Sequence, residues 1–548
     1  MGIYIMFGDL RIITKPPKSR PRKENGFVLM NKVSEKWRQL DKVWLLLAFG
    51  LLLTPFISAL IISVESGTSI FRYDAWNTTW SDEPSYNITV REIREYITPQ
   101  NVRSYNEVEP EILGYGTYRP TTYIPYVFAS FFTGISSHNY FVYCNVLLVI
   151  FANFFFLWVV RPQKRGMVWL IIALSLLLPY QRYVWSGMIE ASHVSMVICV
   201  IACGLYLFGD SEKKPGMKEL VLLVSVILPL LYGTIRGYQF VFLLIPLAYI
   251  LRHKTGMLRT VYTMGLIMAF LLCLYLYVSV LPRFCSPYYN SQTRIGSTSQ
   301  FRIYVQNIFD GRFIEILMDI ISKNRDAMQS LIEMIRNKSW HWVAMAEPVL
   351  IFCLLLYTGM KDKSEKRFLA YTYCVIILCV IEGVIMMNQV GHLYRYHLGI
   401  WVGGYYALFC LQRSNVIASA KILFLTICIC IIVCGYGSKF AFPQIGEIDY
   451  NDEMIAREFS EIMPRDENEP WNNTIASGGN IRYLRYLYPS YISNSTCKTD
   501  VLEELINSDT LKSKYISLTD DQEELIMVCD SKYNLVFHDY GLRIYMVR

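Results

Sequence analysis

Long uninterrupted runs of apolar residues constrain the fold of this chain more than any motif does. Eleven such blocks follow one another, and most of the charged residues lie in the segments between them. A helix needs roughly 20 apolar residues to cross a bilayer core about 30 Å thick. Continuous rather than alternating apolar runs favour helices over a barrel. The blocks therefore predict transmembrane helices at approximately 43–63, 139–160, 166–180, 191–208, 218–233, 237–251, 258–281, 342–359, 367–388, 394–412 and 421–437.

The composition supports the same class of protein. The chain is 53% hydrophobic and 18% charged, whereas soluble proteins have about 25% charged residues. We therefore expect an all-α polytopic membrane protein with interfacial helices on its outer face and a small α/β domain at its C-terminal end. The predicted boundaries are 1–42 for a basic N-terminal segment, 43–437 for the transmembrane domain and 438–548 for the α/β domain.

The distribution of charge predicts the orientation in the membrane. The first 42 residues carry ten Lys or Arg, which the positive-inside rule keeps in the cytoplasm. Alternate short loops are also basic, whereas residues 438–548 carry 19 acidic and 11 basic residues, a net charge of −8. The overall charge of +7 thus reflects a basic inner side and an acidic outer side of the membrane. Because the basic residues flank the membrane, we expect membrane lipids as partners and no nucleic-acid binding.

Three longer segments share the predicted outer face, where we expect the function to lie. They are 64–138, 282–341 and the tail. In the second, apolar spacings of three and four predict two amphipathic helices, one from Phe313 to Ile321 and one from Met328 to Ile335. The tail is predicted to contain helices at 452–463 and 500–508 and strands at 515–518, 525–528, 534–537 and 542–547.

The first outer segment ends in an apolar run that is too short to span the membrane. It begins after Pro120 and ends at Gly134, so it covers about 14 residues, or roughly 21 Å of helix. Aromatic side chains in the run, including Tyr123, suit the depth of the bilayer interface. This run is therefore predicted to be an interfacial helix that opens on Arg119 and Pro120.

The order of features in this region resembles a known family. A first span is followed by an outer loop with Asp74, the Asp82-Glu83 pair and an aromatic residue at 86, and then by an interfacial helix that opens on Pro120. This order is similar to the N-terminal module of the GT-C superfamily of membrane glycosyltransferases. The superfamily's Pro-Pro-Leu-Tyr-like motif is replaced here by Arg-Pro-Thr-Thr-Tyr, so the match is partial.

The resemblance implies an activity and a catalytic base. GT-C enzymes of this kind take a sugar from a polyprenyl-phosphate carrier and give it to a glycan or lipid-linked acceptor, with a loop carboxylate as base. Asp82 is the first choice for the base, with Glu83 beside it and Asp74 as the second choice. Glu190 lies at a later outer turn where these enzymes often place a further acid. The alternative is that these carboxylates are ordinary solvated loop charges.

Cations near the outer ends of the spans are candidates for binding the donor phosphate. They are Arg236, Arg395 with its neighbour Tyr394, and Arg182. Arginine suits phosphate because its planar group donates two hydrogen bonds and keeps its charge. The alternative is an Arg side chain that snorkels to the lipid headgroups.

Metal ligands and nucleophile motifs do not stand out. There is no P-loop, His-Glu-x-x-His or Gly-x-Ser-x-Gly motif, and carrier-dependent GT-C enzymes often work without metal, so we expect neither a metal nor another cofactor. Of the 14 cysteines, most lie in the spans as small apolar residues. Cys497 and Cys529, in the predicted outer tail, are a candidate disulfide.

Two other functions remain open at this point. One is a transporter or flippase of lipid-linked envelope intermediates, and the other is a non-catalytic GT-C-like scaffold. A transporter is expected to place ionisable groups deep within its spans, and an inverted repeat is not evident in the sequence. Here the charged candidates gather at one face, with Glu382 as the main exception, which favours chemistry at the membrane surface.

Overall fold

The structure is a computed structural model. It describes residues 41–66, 86, 90, 93–94, 123–133, 140–209, 215–276, 280, 307, 310–337, 341–362, 364–386, 393–411, 458, 461–462, 474–477, 493–496, 499–511 and 513–547. The chain divides into two compact units, residues 1–47 and 48–548. In the first unit, the Val43 N–H donates to the Asp41 side chain over 2.9 Å at the start of the first helix.

Helices make up the membrane domain. In chain order they are α1 Lys42–Leu52, α2 Thr54–Ser66, α3 Ile124–Thr133, α4 Tyr140–Val160, α5 Lys164–Leu176, α6 Leu178–Val184, α7 Glu190–Leu207, α8 Pro215–Gly233, a 3-10 segment Gly237–Leu243, α9 Leu244–His253, α10 Gly256–Tyr275, α11 Phe313–Arg336, α12 His341–Lys361, α13 Lys366–Met386 and α14 Leu393–Leu411.

The protein is a multi-pass membrane protein, although the count of eleven spans is not confirmed. Among the described residues five helices are long and apolar enough to cross a bilayer, namely α4, α7, α8, α10 and α13, and a sixth span results if α1 and α2 count as one helix bent by 59°. Breaks at Leu177 and at the 3-10 segment divide two predicted spans into shorter pieces. An apolar run does not reveal such breaks. The predicted span 421–437 lies outside the described residues.

Helix α7 is the centre of the membrane domain. All 18 of its residues are buried, and it packs against α4, α8 and α14. A helix that is apolar all round belongs inside a bundle. Close packing on α14 depends on Gly403, where an added Cβ would lie 2.7 Å from Val197 of α7 and 2.3 Å from the Tyr373 hydroxyl of α13.

The predicted basic loops meet at one end of the helices. Arg252 donates two hydrogen bonds of 3.1 Å to Glu365, and Lys254 lies 2.5 Å from Glu219. The Arg252 hydrogen bonds hold the pKa of Glu365 below its ordinary value. These contacts join the first part of α8 to the end of α9, and the end of α9 to the residues before α13, as the charge pattern requires. That this end faces the cytoplasm stays a prediction.

Two amphipathic helices lie outside the core of the bundle. Helix α3 has ten residues, too few to span, and exposes apolar side chains such as Phe128 and Phe132, as expected of the interfacial helix. The second outer segment contains one continuous 24-residue helix, α11, so the prediction of two helices is wrong. The polar residues between the two apolar stripes continue the helix. One of them, Asn324, donates a 3.1 Å hydrogen bond to Glu382 of α13.

The C-terminal part is an α/β unit. Its described strands are β1 Thr474–Ser477, β2 Ser493–Thr496, β3 Tyr515–Thr519, β4 Asn534–Asp539 and β5 Leu542–Met546, with helices α15 Thr499–Asn507 and α16 Glu523–Lys532. The sheet order is β2-β1-β3-β5-β4. β1 is parallel to β2 and β3, whereas β5 is antiparallel to β3 and β4.

Four of the predicted elements of this unit are confirmed, and one is wrong. Helix α15 and strands β3, β4 and β5 match the predictions at 500–508, 515–518, 534–537 and 542–547, whereas the predicted strand 525–528 lies within α16. Its short apolar run fits either structure, and acidic residues in the first turn with Lys532 in the last turn favour the helix. Residues 458 and 461–462 of the predicted helix 452–463 are helical.

Candidate functional site

A buried ion pair joins two of the residues predicted from the sequence. Glu190 begins α7, and Arg236 precedes the 3-10 segment that follows α8. The Arg236 Nη2 atom donates to Glu190 Oε1 over 2.9 Å, and the two side chains are only 10% and 3% exposed. Burying two charges is costly unless they are paired and hydrogen-bonded. The pair therefore marks a built feature of this end of the bundle.

A small pocket opens beside the ion pair. Tyr238 and Tyr396 meet edge to face with their ring centres 6.0 Å apart, and Arg236 lies over the Tyr396 ring at 5.7 Å. Gln239 is almost fully buried, and its Oε1 atom has no hydrogen-bond partner among the described residues. The lining residues are Glu190, His193, Val194, Tyr238, Gln239, Phe242, Val380, Tyr396, Gly399 and Ile400.

The turn that precedes Glu190 is held by Asn145 of α4. The Asn145 Nδ2 group donates to the carbonyl oxygens of Tyr183, Ser186 and Met188 over 3.3, 3.0 and 2.8 Å. Its Oδ1 atom accepts a 2.8 Å hydrogen bond from the Tyr126 hydroxyl of α3. One buried carboxamide thus connects the interfacial helix to the turn that leads into the ion pair.

Two described residues of the first outer segment contact α3 or the residue that precedes it. Residues 86, 90, 93 and 94 are helical. Because residues 86, 90 and 94 are spaced four apart, they share one face. Tyr86 contacts Tyr123 with ring centres 5.9 Å apart, and Arg94 donates to the Ser130 carbonyl of α3 over 2.8 Å. Tyr86, four residues after the predicted base in sequence, therefore contacts Tyr123, the residue that precedes α3.

Most of the other predicted site residues lie outside the described structure. Asp74, Asp82, Glu83, Arg119, Pro120 and Cys497 are outside the described residues, as are the side chains of Arg182, Tyr394 and Arg395. The backbone of Arg182 lies in α6, and that of Tyr394 and Arg395 lies in the first turn of α14. Tyr123 is fully buried rather than placed at the lipid interface. Their proposed roles stay predictions.

Cys529 is a buried free thiol in the core of the C-terminal unit. Burial raises its pKa to about 12. Its predicted partner Cys497 is outside the described residues, so the disulfide stays a prediction.

Sequence reasoning missed Asn145, Tyr238, Gln239 and Tyr396. A signal was present for Asn145, because a carboxamide inside an apolar span is costly and tends to be retained for a reason. The tyrosines were hidden among the 40 tyrosines of the chain. Within the part of the chain that the structure describes, no three His, Cys, Asp or Glu side chains gather as a metal site.

Comparison with known proteins identifies the fold. The oligosaccharyltransferase of Archaeoglobus fulgidus, crystallised with a tethered acceptor peptide, is similar over 90% of this chain and 74% of its own, with a TM-score of 0.51 and 11% identity. The apo form of ArnT from Cupriavidus metallidurans is similar over 94% and 98%, with a TM-score of 0.41 and 11% identity. No family model matches the sequence, and no curated protein is significantly similar to it.

The chain is therefore a multi-pass membrane protein that shares its fold with the Archaeoglobus fulgidus oligosaccharyltransferase. The likeness to the archaeal oligosaccharyltransferase confirms the resemblance that the first outer segment indicated. At 11% identity it is a likeness of fold.

Proposed function

We propose that this protein is a membrane glycosyltransferase that transfers a sugar from a polyprenyl-phosphate-linked donor to a cell-envelope or other extracytoplasmic acceptor. The observation that carries the proposal is the fold, which is that of an enzyme that transfers sugars. The buried Glu190–Arg236 pair supports it, because it lies at the end of the bundle where the interfacial helix connects to α7.

The proposed reaction inverts the configuration at the anomeric carbon. The acceptor hydroxyl oxygen attacks that carbon, the bond from the carbon to the phosphate oxygen breaks, and the polyprenyl phosphate leaves with the electron pair. A carboxylate takes the proton from the acceptor. We assign this role to Asp82, with Asp74 as the second choice. Asp82 lies four positions before Tyr86, and Tyr86 packs on Tyr123, the residue that precedes α3.

The ion pair changes the expected roles of its two residues. Arg236 is already engaged by Glu190, so its charge is partly compensated and it is a weaker site for the anionic donor phosphate than an arginine without such a partner. We propose that Arg395, with Tyr394 and Arg182, provides the main cationic contact with the donor phosphate. In this scheme Glu190 and Arg236 shape and polarise the pocket in which the sugar or the acceptor is oriented.

A transporter or a non-catalytic scaffold remains the alternative. The position of Glu382, the main acidic exception within the spans, bears on the transporter. It accepts a hydrogen bond from Asn324 of α11, an amphipathic helix outside the core of the bundle. This contact ties Glu382 to the surface of the domain rather than to a pathway through it, which favours the enzyme.

The test is transfer of radiolabelled sugar from a panel of polyprenyl-phosphate donors by the purified full chain in lipid nanodiscs. Wild type is compared with Asp82→Asn and Glu190→Gln, and Glu365→Gln at the opposite end serves as the matched control. We expect transfer by wild type and the control, with a loss of about 10²-fold or more in Asp82→Asn.

Each other outcome has a distinct meaning. Full activity of Asp82→Asn together with loss in Glu190→Gln would move the base away from Asp82. No transfer from any donor by the folded wild type would contradict the enzyme. Donor movement across the bilayer in the same preparation would then support the flippase, and donor binding alone would support the scaffold.

A further inference from the structure

The carboxamide of Asn145 stands at a three-way junction of the membrane domain. It is fully buried in α4 and accepts from Tyr126 of α3. It donates to the Tyr183 carbonyl at the end of α6 and to the Ser186 and Met188 carbonyls of the turn between α6 and α7. Glu190 follows the last of these carbonyls by two residues.

The chemistry of the junction requires a carboxamide. The turn from Trp185 to Ile189 is not helical, so its carbonyl groups lack the regular partners that a helix supplies. Two N–H groups on one atom serve the carbonyls, while an oxygen on the same group serves the Tyr126 hydroxyl. A carboxylate of the same size would place an oxygen against three carbonyl oxygens, and an alanine would leave them without this donor.

We propose that Asn145 is a positioning residue that fixes Glu190 relative to the interfacial helix. Through the turn it sets where α7 begins, and through Tyr126 it links that start to α3. A shift of α3 at the membrane surface is thereby transmitted to the Glu190–Arg236 pair. The effect on sugar transfer rests on the proposed function, whereas the mechanical role does not.

Asn153 provides a matched control on the same helix. It is also fully buried, donates to the Leu51 carbonyl over 3.1 Å and accepts from the Tyr406 hydroxyl. It lies eight residues further along, about 12 Å along the helix axis, and has no hydrogen bond to the turn before α7 among those described. Replacing either residue by alanine removes a buried carboxamide and leaves a tyrosine hydroxyl without its acceptor.

The experiment compares Asn145→Ala, Asn145→Asp, Tyr126→Phe and Asn153→Ala in the full chain in nanodiscs. Hydrogen exchange of the segment 183–192 is measured by mass spectrometry, together with kcat and the donor KM for sugar transfer. We expect exchange in this segment to rise on the order of tenfold in both Asn145 variants. We expect kcat to fall by about a hundredfold, because small misplacement of reacting groups is costly, while the donor KM changes less than about twofold.

The controls separate positioning from general destabilisation. Asn153→Ala is expected to lower the melting temperature. It should leave hydrogen exchange in 183–192 and kcat at their wild-type values. Tyr126→Phe, which removes only the hydroxyl on α3, is expected to change both quantities in the same direction but less, and it stands in if the Asn145 variants fail to fold.

Unchanged exchange in 183–192 for Asn145→Ala, or an equal increase in Asn153→Ala, overturns the positioning role. A wild-type kcat for sugar transfer in Asn145→Ala also overturns the positioning role, and it leaves the proposed function intact. Absence of transfer in the wild type counts against the proposed function alone, since the exchange measurement still decides the role of Asn145.

Discussion

Removing both partners of the buried ion pair should destabilise the protein less than the sum of the two single removals. In Glu190→Gln the guanidinium of Arg236 remains buried without its carboxylate, and in Arg236→Met the carboxylate of Glu190 loses its 2.9 Å hydrogen bond. The paired double variant leaves neither charge behind. The two side chains are 3% and 10% exposed, so water compensates little of the loss.

The expected magnitude follows from this burial. Breaking a buried pair by removing one partner costs about 3–5 kcal/mol, because an uncompensated charge stays behind. The double variant should cost less than the sum of the two single variants, with a coupling free energy of about 2–3 kcal/mol. The loss of the Arg236 contact with the Tyr396 ring adds a smaller amount to both variants that lack the arginine.

The assay is a double-mutant cycle on the free energy of unfolding in mixed detergent micelles. The same cycle on Arg252 and Glu365 is the matched control, because that pair has comparable hydrogen bonds but side chains 47% and 42% exposed. We expect a coupling close to zero for the exposed pair. Additive single effects at Glu190 and Arg236, or equal coupling in the two cycles, would refute the inference that burial makes this pair strong.

Two further predictions concern packing and protonation. Gly233→Ala should lower the stability by about 1–3 kcal/mol and should also lower sugar transfer, because its Cβ would lie 2.2 Å from the Phe240 ring in the segment after Arg236. Thermal unfolding and transfer assays measure both effects. Gly265→Ala, whose added Cβ would have nothing within 4 Å, should be nearly neutral in the same assays. The Cys529 pKa of about 12 lies above the unfolded value of about 8.5, so stability of the C-terminal unit should be complete below about pH 8.5 and fall as the pH rises toward 12. Hydrogen exchange of β3 across this pH range measures it, and an identical pH profile in Cys529→Ala would contradict this reasoning.

The sequence predicted the class of fold because the bilayer imposes a strong and simple pattern. Apolar blocks and basic loops follow directly from the cost of burying polar groups in lipid, and α3 was recognised because ten to fourteen residues are too short to span. The number of spans was not recovered. The break at Leu177 and the 3-10 segment after Arg236 leave no mark in average hydropathy.

The candidate site was predicted in part. Glu190 and Arg236 were each recognised as ionisable residues at an outer turn, but their contact joins positions 46 residues apart and depends on how α7 packs against α8. Asn145 was missed for the same reason, since its four hydrogen bonds reach two other parts of the chain. Local patterns also failed where they were ambiguous, as for the short apolar run at 525–528 that forms part of α16.

The most direct test of the central claim is a cryo-electron microscopy structure of the full chain in nanodiscs with added polyprenyl phosphate. The account predicts phosphate density at the end of the bundle where Glu190 and Arg236 pair, within contact of Arg395, with the polyprenyl chain along the bundle and beside α3. Phosphate density at the opposite end, beside Arg252 and Lys254, would contradict it.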